Sequence, residues 1–345
     1  MQATPEERSD PVYDSNDSHT TCNVVSRMAL SRELRRSIAD IARIEGDNNQ
    51  LWQSASSLSS INCQYMISGK PGSEFAIDLH DLWFTYYHAA RNTVASNPML
   101  DRLIVQILQA RELGRLRRTS SADTGVPAAA STSDGVIWAD LPFLVPDMTE
   151  FWIRDWSTMS SSNLLGFSTF LAKLASIGVC NDRLSGIGLI LFRDALETPR
   201  PLGAFGEEHA MDEARLSQDV TISKLLPAVN SWLFHAGYKI IQLADMRWSN
   251  DTDARGELFR NDPLCSAAML GGFSPERWIF WLKRLEQIAE QAEAAGDTRL
   301  GESARKSMDN MLFILDERDS AVKKMLQEMP GVIRHQPMVQ VFGPK

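Results

Sequence analysis

The stretch 272–281, Gly272-Phe273-Ser274-Pro275-Glu276-Arg277-Trp278-Ile279-Phe280-Trp281, decides the fold class of this chain. Ser274 is a favoured N-cap residue, and Pro275 suits the first helical position, where its missing N–H leaves no hydrogen bond unmade. Trp278 and Trp281 then share one helical turn and require a large apolar environment. The stretch therefore predicts a helix that packs deeply against other helices.

Apolar residues recur at helical spacing through most of the remaining chain, which predicts an all-α fold: an irregular multi-helix domain with a disordered N-terminal tail. The segment 183–197 is ambiguous, because its apolar run 187–192 also fits a buried strand. The helical phase continues to Glu197, and we therefore assign a helix. Further helices are expected over 32–44, from 74, over 99–113, from an N-cap at Asp147, over 164–174, from a first turn at Pro227, and over 303–329.

The composition divides the chain into four parts. Residues 1–30 are rich in Ser, Asp, Asn and Thr, which predicts a disordered tail. A helical lead-in and a Ser/Gly-rich linker follow over 31–73. The helical domain is expected over 74–330, interrupted by a mobile loop at 119–135, and 331–345 form a C-terminal tail.

The net charge of −9 over 345 residues argues against a nucleic-acid or anionic membrane surface, since both require a concentrated positive field, and leaves only a local basic patch open. No apolar run approaches the roughly 20 residues of a membrane-spanning helix. The four cysteines lie far apart in the sequence, as expected for free thiols, and the acidic N-terminus does not resemble a secretory signal. These features predict a cytoplasmic protein, with the nucleus as the alternative compartment.

Four motifs follow one another along the chain. They are Trp138-x-Asp140-Leu141-Pro142, Arg193-Asp194-Ala195-Leu196-Glu197, Leu226-Pro227-Ala228, and Gly272-Phe273-Ser274-x-Glu276-Arg277-Trp278-x-Phe280-Trp281. In this order they resemble the fungal domain-of-unknown-function family three-six-three-two over about residues 75–295. The resemblance implies a fungal origin and a helical intracellular domain. It carries over no catalytic residue.

A search for catalytic motifs leaves three weak groups of residues. The sequence has no phosphate-binding loop, dinucleotide fingerprint, G-x-S-x-G elbow or H-E-x-x-H motif. The residues around His209 fit either a cation site or a solvated acidic loop. The residues on the helix from residue 74 fit either acid–base catalysis or an ordinary helix surface. Arg117-Arg118-Thr119-Ser120 makes Ser120 a phosphorylation candidate. The acid–base group comprises His80, Asp81, Tyr87 and His88, and the cation group comprises Glu207, Glu208, His209, Asp212 and Glu213.

No catalytic residue, metal or cofactor is therefore predicted, and a non-enzymatic accessory module that binds a protein partner is the favoured function. The alternative is a small-molecule-binding protein or enzyme of fungal specialised metabolism, with a Trp-lined pocket between helices. The candidate pocket residues are Trp138, Asp140, Trp152, Glu276, Arg277, Trp278 and Trp281.

Overall fold

The computed structural model describes residues 16–44, 58–118, 128–206, 210–249, 271–329 and 331. Their fold is all-α, which confirms the predicted class. The helices are α1 (Asn16–Ile44), α2 (Leu58–Ser68), α3 (Ala76–Arg91), α4 (Met99–Glu112), α5 (Leu144–Asp155), α6 (Ser161–Ser176), α7 (Ser185–Phe192), α8 (Ile222–Asp245), α9 (Pro275–Ala294), α10 (Thr298–Asp316) and α11 (Ala321–Glu328). None of these described helices is both long and apolar enough to cross a membrane.

Helix α8 lies at the centre of one half of the molecule, between α6 and α10. Ser168 of α6 bonds the Ala228 carbonyl near the start of α8, and Gly178, just after α6, lies beside Lys239 further along. The two helices therefore run in parallel. Helix α10 runs the same way, since its Ser303 bonds Asn230 and Glu317, directly after it, bonds Tyr238.

Helix α3 organises the other half and packs on α1, α5 and α6. Arg35 of α1 donates to Asp81 at 2.6 Å, and Trp83 donates its indole N–H to the Pro142 carbonyl at 2.8 Å. Ile38 of α1 and Tyr65 of α2 are buried in the same core. The residues before position 74 thus contribute directly to the packed structure.

Helix α7 and the residues after it confirm a helix over most of 183–197. Arg193–Glu197 continue α7 as one turn of π-helix, the wider turn that often occurs at functional sites. Gly188 lies against the Trp232 indole, and a Cβ at this position would come within 2.7 Å of the ring. The glycine therefore allows α7 to approach α8 closely.

Two pairs of very short strands lie where a mobile loop is predicted. β1 (Arg117–Arg118) pairs with β2 (Ala128–Ala129), and β3 (Ser131–Thr132) pairs with β4 (Gly135–Val136), both antiparallel. The buried Ala130 joins them, because its N–H donates to Leu116 and its carbonyl accepts from Ile137. The second half of the predicted loop is thus ordered, while residues 119–127 lie outside the described residues.

Several helix boundaries differ from the predicted ones. Helix α1 begins at Asn16 instead of Arg32, and residues 1–15 of the predicted tail lie outside the described residues. The helix predicted over 303–329 is two helices, because Asp297 and Ser320 each cap a new start by accepting a backbone N–H.

Two predicted helix starts are also wrong. Asp147 is not an N-cap, since α5 begins at Leu144 and the Asp147 carboxylate bonds His80 instead. Pro227 lies inside α8, which begins at Ile222. The first N–H groups of α8 donate to the carbonyls of Pro201 and Leu202, so a distant segment supplies the cap.

Candidate functional site

Three of the four predicted pocket residues on α9 are core residues in the structure. Trp278 and Trp281 are 0% and 1% exposed, and Arg277 is 1% exposed. Phe192 stacks on Trp281 with ring centroids 4.5 Å apart. Other residues of the protein therefore enclose these three side chains.

A buried ionic cluster connects α9 to the π-helical turn. Glu197 Oε1 accepts from Arg277 Nε at 2.7 Å and from Trp281 Nε1 at 2.8 Å. Glu197 Oε2 lies 3.5 Å from Arg193 Nε. We call Glu197, Arg193, Arg277 and Trp281 the Glu197 cluster. Its polar atoms bind one another in the protein interior, where the loss of one charged partner would leave the others buried without it.

The Glu197 cluster also holds two chain segments together. Arg277 Nη1 donates to the carbonyls of Gly271, at 2.7 Å, and Gly272, while Phe273 N donates to the Trp248 carbonyl at 2.9 Å. Gly272 has no room for a side chain, because a Cβ would meet the same Trp248 carbonyl. The chain around Trp248 is thereby fixed against the start of α9.

The half-buried Glu276 reinforces this junction from the outside. It forms a bidentate ion pair with Arg247, with N···O distances of 2.5 and 2.9 Å. The hydrogen bonds from Arg247 lower the pKa of the Glu276 carboxyl. Glu276 therefore has a structural role: it links Arg247 to the start of α9.

The other predicted pocket residues lie elsewhere. Trp138 is fully buried, and its indole N–H donates to Asn62 at 2.6 Å. Asp140 is exposed and closes a turn by accepting from Val136 N at 2.8 Å. Trp152 is buried beside Phe167. Among the described residues, no hydrogen bond, ion pair or ring contact joins this group to α9.

The predicted acid–base residues are divided between separate partners. His80 contacts Asp147 at 2.8 Å, whereas Tyr87 donates to Asp155 at 2.5 Å and accepts from Arg91 at 2.6 Å. Burial raises the pKa of the Tyr87 hydroxyl. These side chains stabilise helix contacts and do not converge on one reacting position.

The carboxyl of Asp155 is held in its ionised form. Burial acts to raise its pKa, but hydrogen bonds from Arg154 and Tyr87 outweigh that effect, and the pKa is lower than usual. Asp81 is likewise engaged, with Ser31 and Arg35, and His88 packs against Phe84. The four predicted residues therefore share no common site.

Two further sequence candidates fall partly outside the described residues. Ser120 and residues 207–209 lie outside the described residues, so their predicted roles stay predictions. Arg118, from the predicted kinase motif, bonds the Tyr65 and Gly69 carbonyls at 3.0 and 2.9 Å. Across the described ranges, no group of three His, Cys, Asp or Glu side chains is placed to hold a metal ion.

Lys224 is a buried cation that the sequence patterns do not reveal. It is 4% exposed, and its Nζ donates to the Ser157 carbonyl at 2.9 Å. Burial and, to a smaller extent, the nearby positive charge of Arg215 lower the pKa of Lys224 to about 8. Arg215 donates to the same carbonyl at 3.3 Å.

Exposed aromatic side chains lie on the outer side of α8 and α10. Phe234, Tyr238 and Phe313 are 75%, 48% and 52% exposed, and we call these three residues the aromatic face. Tyr238 donates to Glu317, and Phe313 precedes Glu317 by four residues on the same side of α10. Phe234 precedes Tyr238 by the same spacing on α8. The parallel helices therefore present the three rings side by side.

The sequence contains a signal for this face. Phe234 and Tyr238 fall out of phase with the buried stripe of α8 and share the side of His235 and Lys239, where polar residues are expected. Large aromatic residues on the polar side of an amphipathic helix indicate a surface that another molecule covers.

A surface cavity of about 260 Å³ adjoins the aromatic face through Glu317. It lies between the end of α10 and the outer side of α11 and extends to Gln327 in the last turn of α11. Glu317 pairs with no cation among the described residues, whereas Asp316 and Asp319 pair with Lys323 and Lys324. Because Arg318, Lys323 and Lys324 also line the cavity, the aromatic face borders a charged surface of mixed sign.

Comparison with known proteins identifies the family. The model of a protein-of-unknown-function family, DUF3632, matches residues 83–285, which include all four motifs. The chain is 36% identical over 264 residues to the oxopyrrolidines biosynthesis cluster protein G of Penicillium oxalicum, covering 76% of this chain and 73% of that protein. No solved structure matches. The chain therefore belongs to the DUF3632 family, as its motifs indicate.

Proposed function

We propose that this protein is a non-catalytic accessory component of fungal specialised metabolism that acts by binding a protein partner through the aromatic face. The relative in Penicillium oxalicum is named as a protein of an oxopyrrolidine biosynthesis cluster, which supports the metabolic setting. The exposure of Phe234, Tyr238 and Phe313 is the observation that supports binding. We place this activity in the cytoplasm, with the nucleus as the alternative.

The physical argument rests on the cost of leaving large rings in water. Burying one square ångström of apolar surface is worth about 25 cal/mol, and an aromatic side chain offers roughly 150–250 Å². Tyr and Phe are enriched in the cores of protein interfaces for this reason. A face with three such rings on two rigid helices therefore favours association with another protein.

The small-molecule alternative has less structural support. The four candidate Trp rings are enclosed by protein side chains, and Arg277 and Glu276 are bound to Glu197 and Arg247. A ligand pocket needs a few polar groups that point into accessible space. Asp140 alone among the polar candidates is exposed, and its carboxylate already closes a turn.

The test is purification of the tagged protein from cells of the organism that encodes it, followed by native mass spectrometry. The wild-type chain is compared with the double variant Phe234→Ser/Phe313→Ser. We expect a protein companion at a fixed ratio with the wild type and a loss of about tenfold or more with the variant, because interface aromatics commonly contribute at least 2 kcal/mol.

The matched control is Ile67→Ser/Val105→Ser, which removes two apolar side chains that are also exposed but lie on α2 and α4. It should retain the companion. Equal retention by the aromatic-face variant, or a bound small molecule with no protein companion, would contradict the proposal.

A further inference from the structure

We infer that Lys224 and Arg215 form a binding site for a small monocarboxylate anion. The site lies where the first turn of α8 meets the chain that follows α5, and both side chains converge there on the Ser157 carbonyl. Such a site goes beyond the proposed function, because it involves neither the aromatic face nor a protein partner.

Two positive side chains meet at this one carbonyl. Lys224 Nζ donates to the Ser157 oxygen at 2.9 Å, and Arg215 Nη1 donates to the same oxygen at 3.3 Å. The two nitrogens are therefore no more than about 6 Å apart. Each oxygen of a carboxylate accepts hydrogen bonds of about 2.8 Å from a cation, so one such anion is able to bridge both side chains.

The ammonium group of Lys224 has donors that the described part of the protein does not use. An ammonium carries three N–H groups, and among the described residues Lys224 Nζ makes a single hydrogen bond, to the Ser157 carbonyl. The residue is only 4% exposed. Because buried charges in proteins are normally paired and fully hydrogen-bonded, an anion beside Nζ would supply the acceptors that the ammonium lacks.

The charges around Lys224 leave one positive charge uncompensated. Arg215 and Asp212 are the charged side chains that act on Lys224, and the contact between Arg215 and Asp212 is long, at 4.0 Å. The Asp212 side chain is half exposed, and Asp155, the acidic residue nearest Ser157 in the sequence, is held by Arg154. A monocarboxylate would balance the remaining charge. A phosphate group, with a charge of about −1.5 to −2 at pH 7, would exceed it.

The depth of the site favours a small ligand. Arg215 also donates to the carbonyls of Met159 and Ala210, at 3.3 and 3.0 Å, and its side chain is 15% exposed. Residues 210–214, which precede it, are exposed. The guanidinium thus lies between the surface and the more deeply buried ammonium. An anion of a few atoms meets Arg215 first and Lys224 behind it, whereas an acidic side chain on the surface of a large partner does not reach Lys224.

The test is thermal unfolding of the full-length purified chain at pH 7 in acetate and in chloride of equal ionic strength. Acetate at about 100 times its dissociation constant should raise the Tm of the wild type by about 4 °C over the chloride value. Lys224→Met should reduce this difference to less than about 1 °C, because the variant keeps a long side chain but has no ammonium. Broadening of the ¹³C resonance of labelled acetate measures binding directly, and the dissociation constant should rise at least tenfold in the variant.

The matched control is Lys173→Met, which removes a lysine that already has a carboxylate partner, Asp101, at 2.6 Å. This variant should keep the full acetate effect. Lys224→Gln provides a second substitution at the site and should behave like Lys224→Met.

Three results would overturn the inference. An acetate effect that persists in both Lys224 variants, or that disappears in Lys173→Met, would assign it to general salt action. A larger effect of inorganic phosphate than of acetate, lost in the Lys224 variants, would reject the monocarboxylate. These outcomes are independent of the proposed function, because capture of a protein companion depends on Phe234 and Phe313.

Discussion

The α9 tryptophans and the aromatic face show two opposite uses of aromatic residues in one chain. Trp278 and Trp281 belong to an aromatic-rich stretch of the sequence, and they are buried beside Glu197 in the core. Phe234 and Tyr238 lie close to the buried Trp232 in the sequence, yet they are exposed on α8. Aromatic density alone therefore does not separate core from surface, and helical phase is the better guide to a binding surface.

The largest effect that distinguishes the two regions is the loss of the buried carboxylate. Glu197→Leu removes the only carboxylate of the Glu197 cluster from beside the buried Arg277 and Arg193, and we expect a loss of about 3–5 kcal/mol in the free energy of unfolding. Urea denaturation followed by Trp fluorescence measures it. The control is Glu276→Leu, whose pair with Arg247 is partly exposed and should cost about 1 kcal/mol or less. Equal losses in the two variants would show that burial does not increase the contribution of the Glu197 cluster to stability.

Removing the buried charge of Lys224 should raise the stability of the protein, whereas removing the Glu197 carboxylate should lower it. The pKa of Lys224 is about 8 in the folded protein and about 10.4 when the chain is unfolded, so the unfolded chain binds more protons between these pH values. Stability should therefore rise as the pH increases from about 8 to 10.4.

Lys224→Met should remove this pH dependence and stabilise the protein by roughly 2 kcal/mol at neutral pH, because about 3 kcal/mol of charge penalty exceeds one lost hydrogen bond. The Ser157 carbonyl keeps its contact with Arg215. Urea titrations of both proteins at pH 7 and pH 10 provide the measurement. A wild-type slope that persists in the variant would assign the pH dependence to other groups.

The two α9 tryptophans sharpen the comparison further. Trp281→Phe removes the indole donor to Glu197 and should cost about 1–3 kcal/mol beyond the lost packing, because a buried acceptor loses a partner. Trp278→Phe should cost less, since the Trp278 N–H has no hydrogen-bond partner among the described residues. Thermal unfolding of the two variants compares their losses of stability. A larger loss for Trp278→Phe would show that the hydrogen bond from Trp281 to Glu197 is not the more important contribution.

Local signals explain which parts of the fold are predictable. The start of α9 is correctly predicted, because Ser274 caps it by accepting the Arg277 N–H and Pro275 follows at once. The start of α8 is not, because the Pro201 and Leu202 carbonyls that receive its first N–H groups are distant in the sequence. Boundaries set by tertiary contacts carry no local pattern.

The candidate site shows the same limit more strongly. Helical spacing identifies Trp278 and Trp281 as inward-facing, but the same spacing describes a pocket wall and a packed core. The partner that decides between them is Glu197, about eighty positions earlier, and its π-helical turn has no signature in the residue pattern. Phe234 and Tyr238 were recognisable from their phase on α8, but Phe313 joins them only through the packing of α10 on α8.

The smallest effect on stability should come from the aromatic face itself. Phe234→Ser/Phe313→Ser removes two exposed rings, and surface substitutions of this kind change the free energy of unfolding by about 0.5 kcal/mol each. Binding of the dye ANS at native pH should not increase. A loss of 3 kcal/mol or more would mean that the rings pack inside the protein, and the contrast between a buried and a presented aromatic region would then be wrong. An unchanged stability, combined with loss of the protein companion, would instead show that the aromatic face serves binding, whereas the buried α9 residues stabilise the fold.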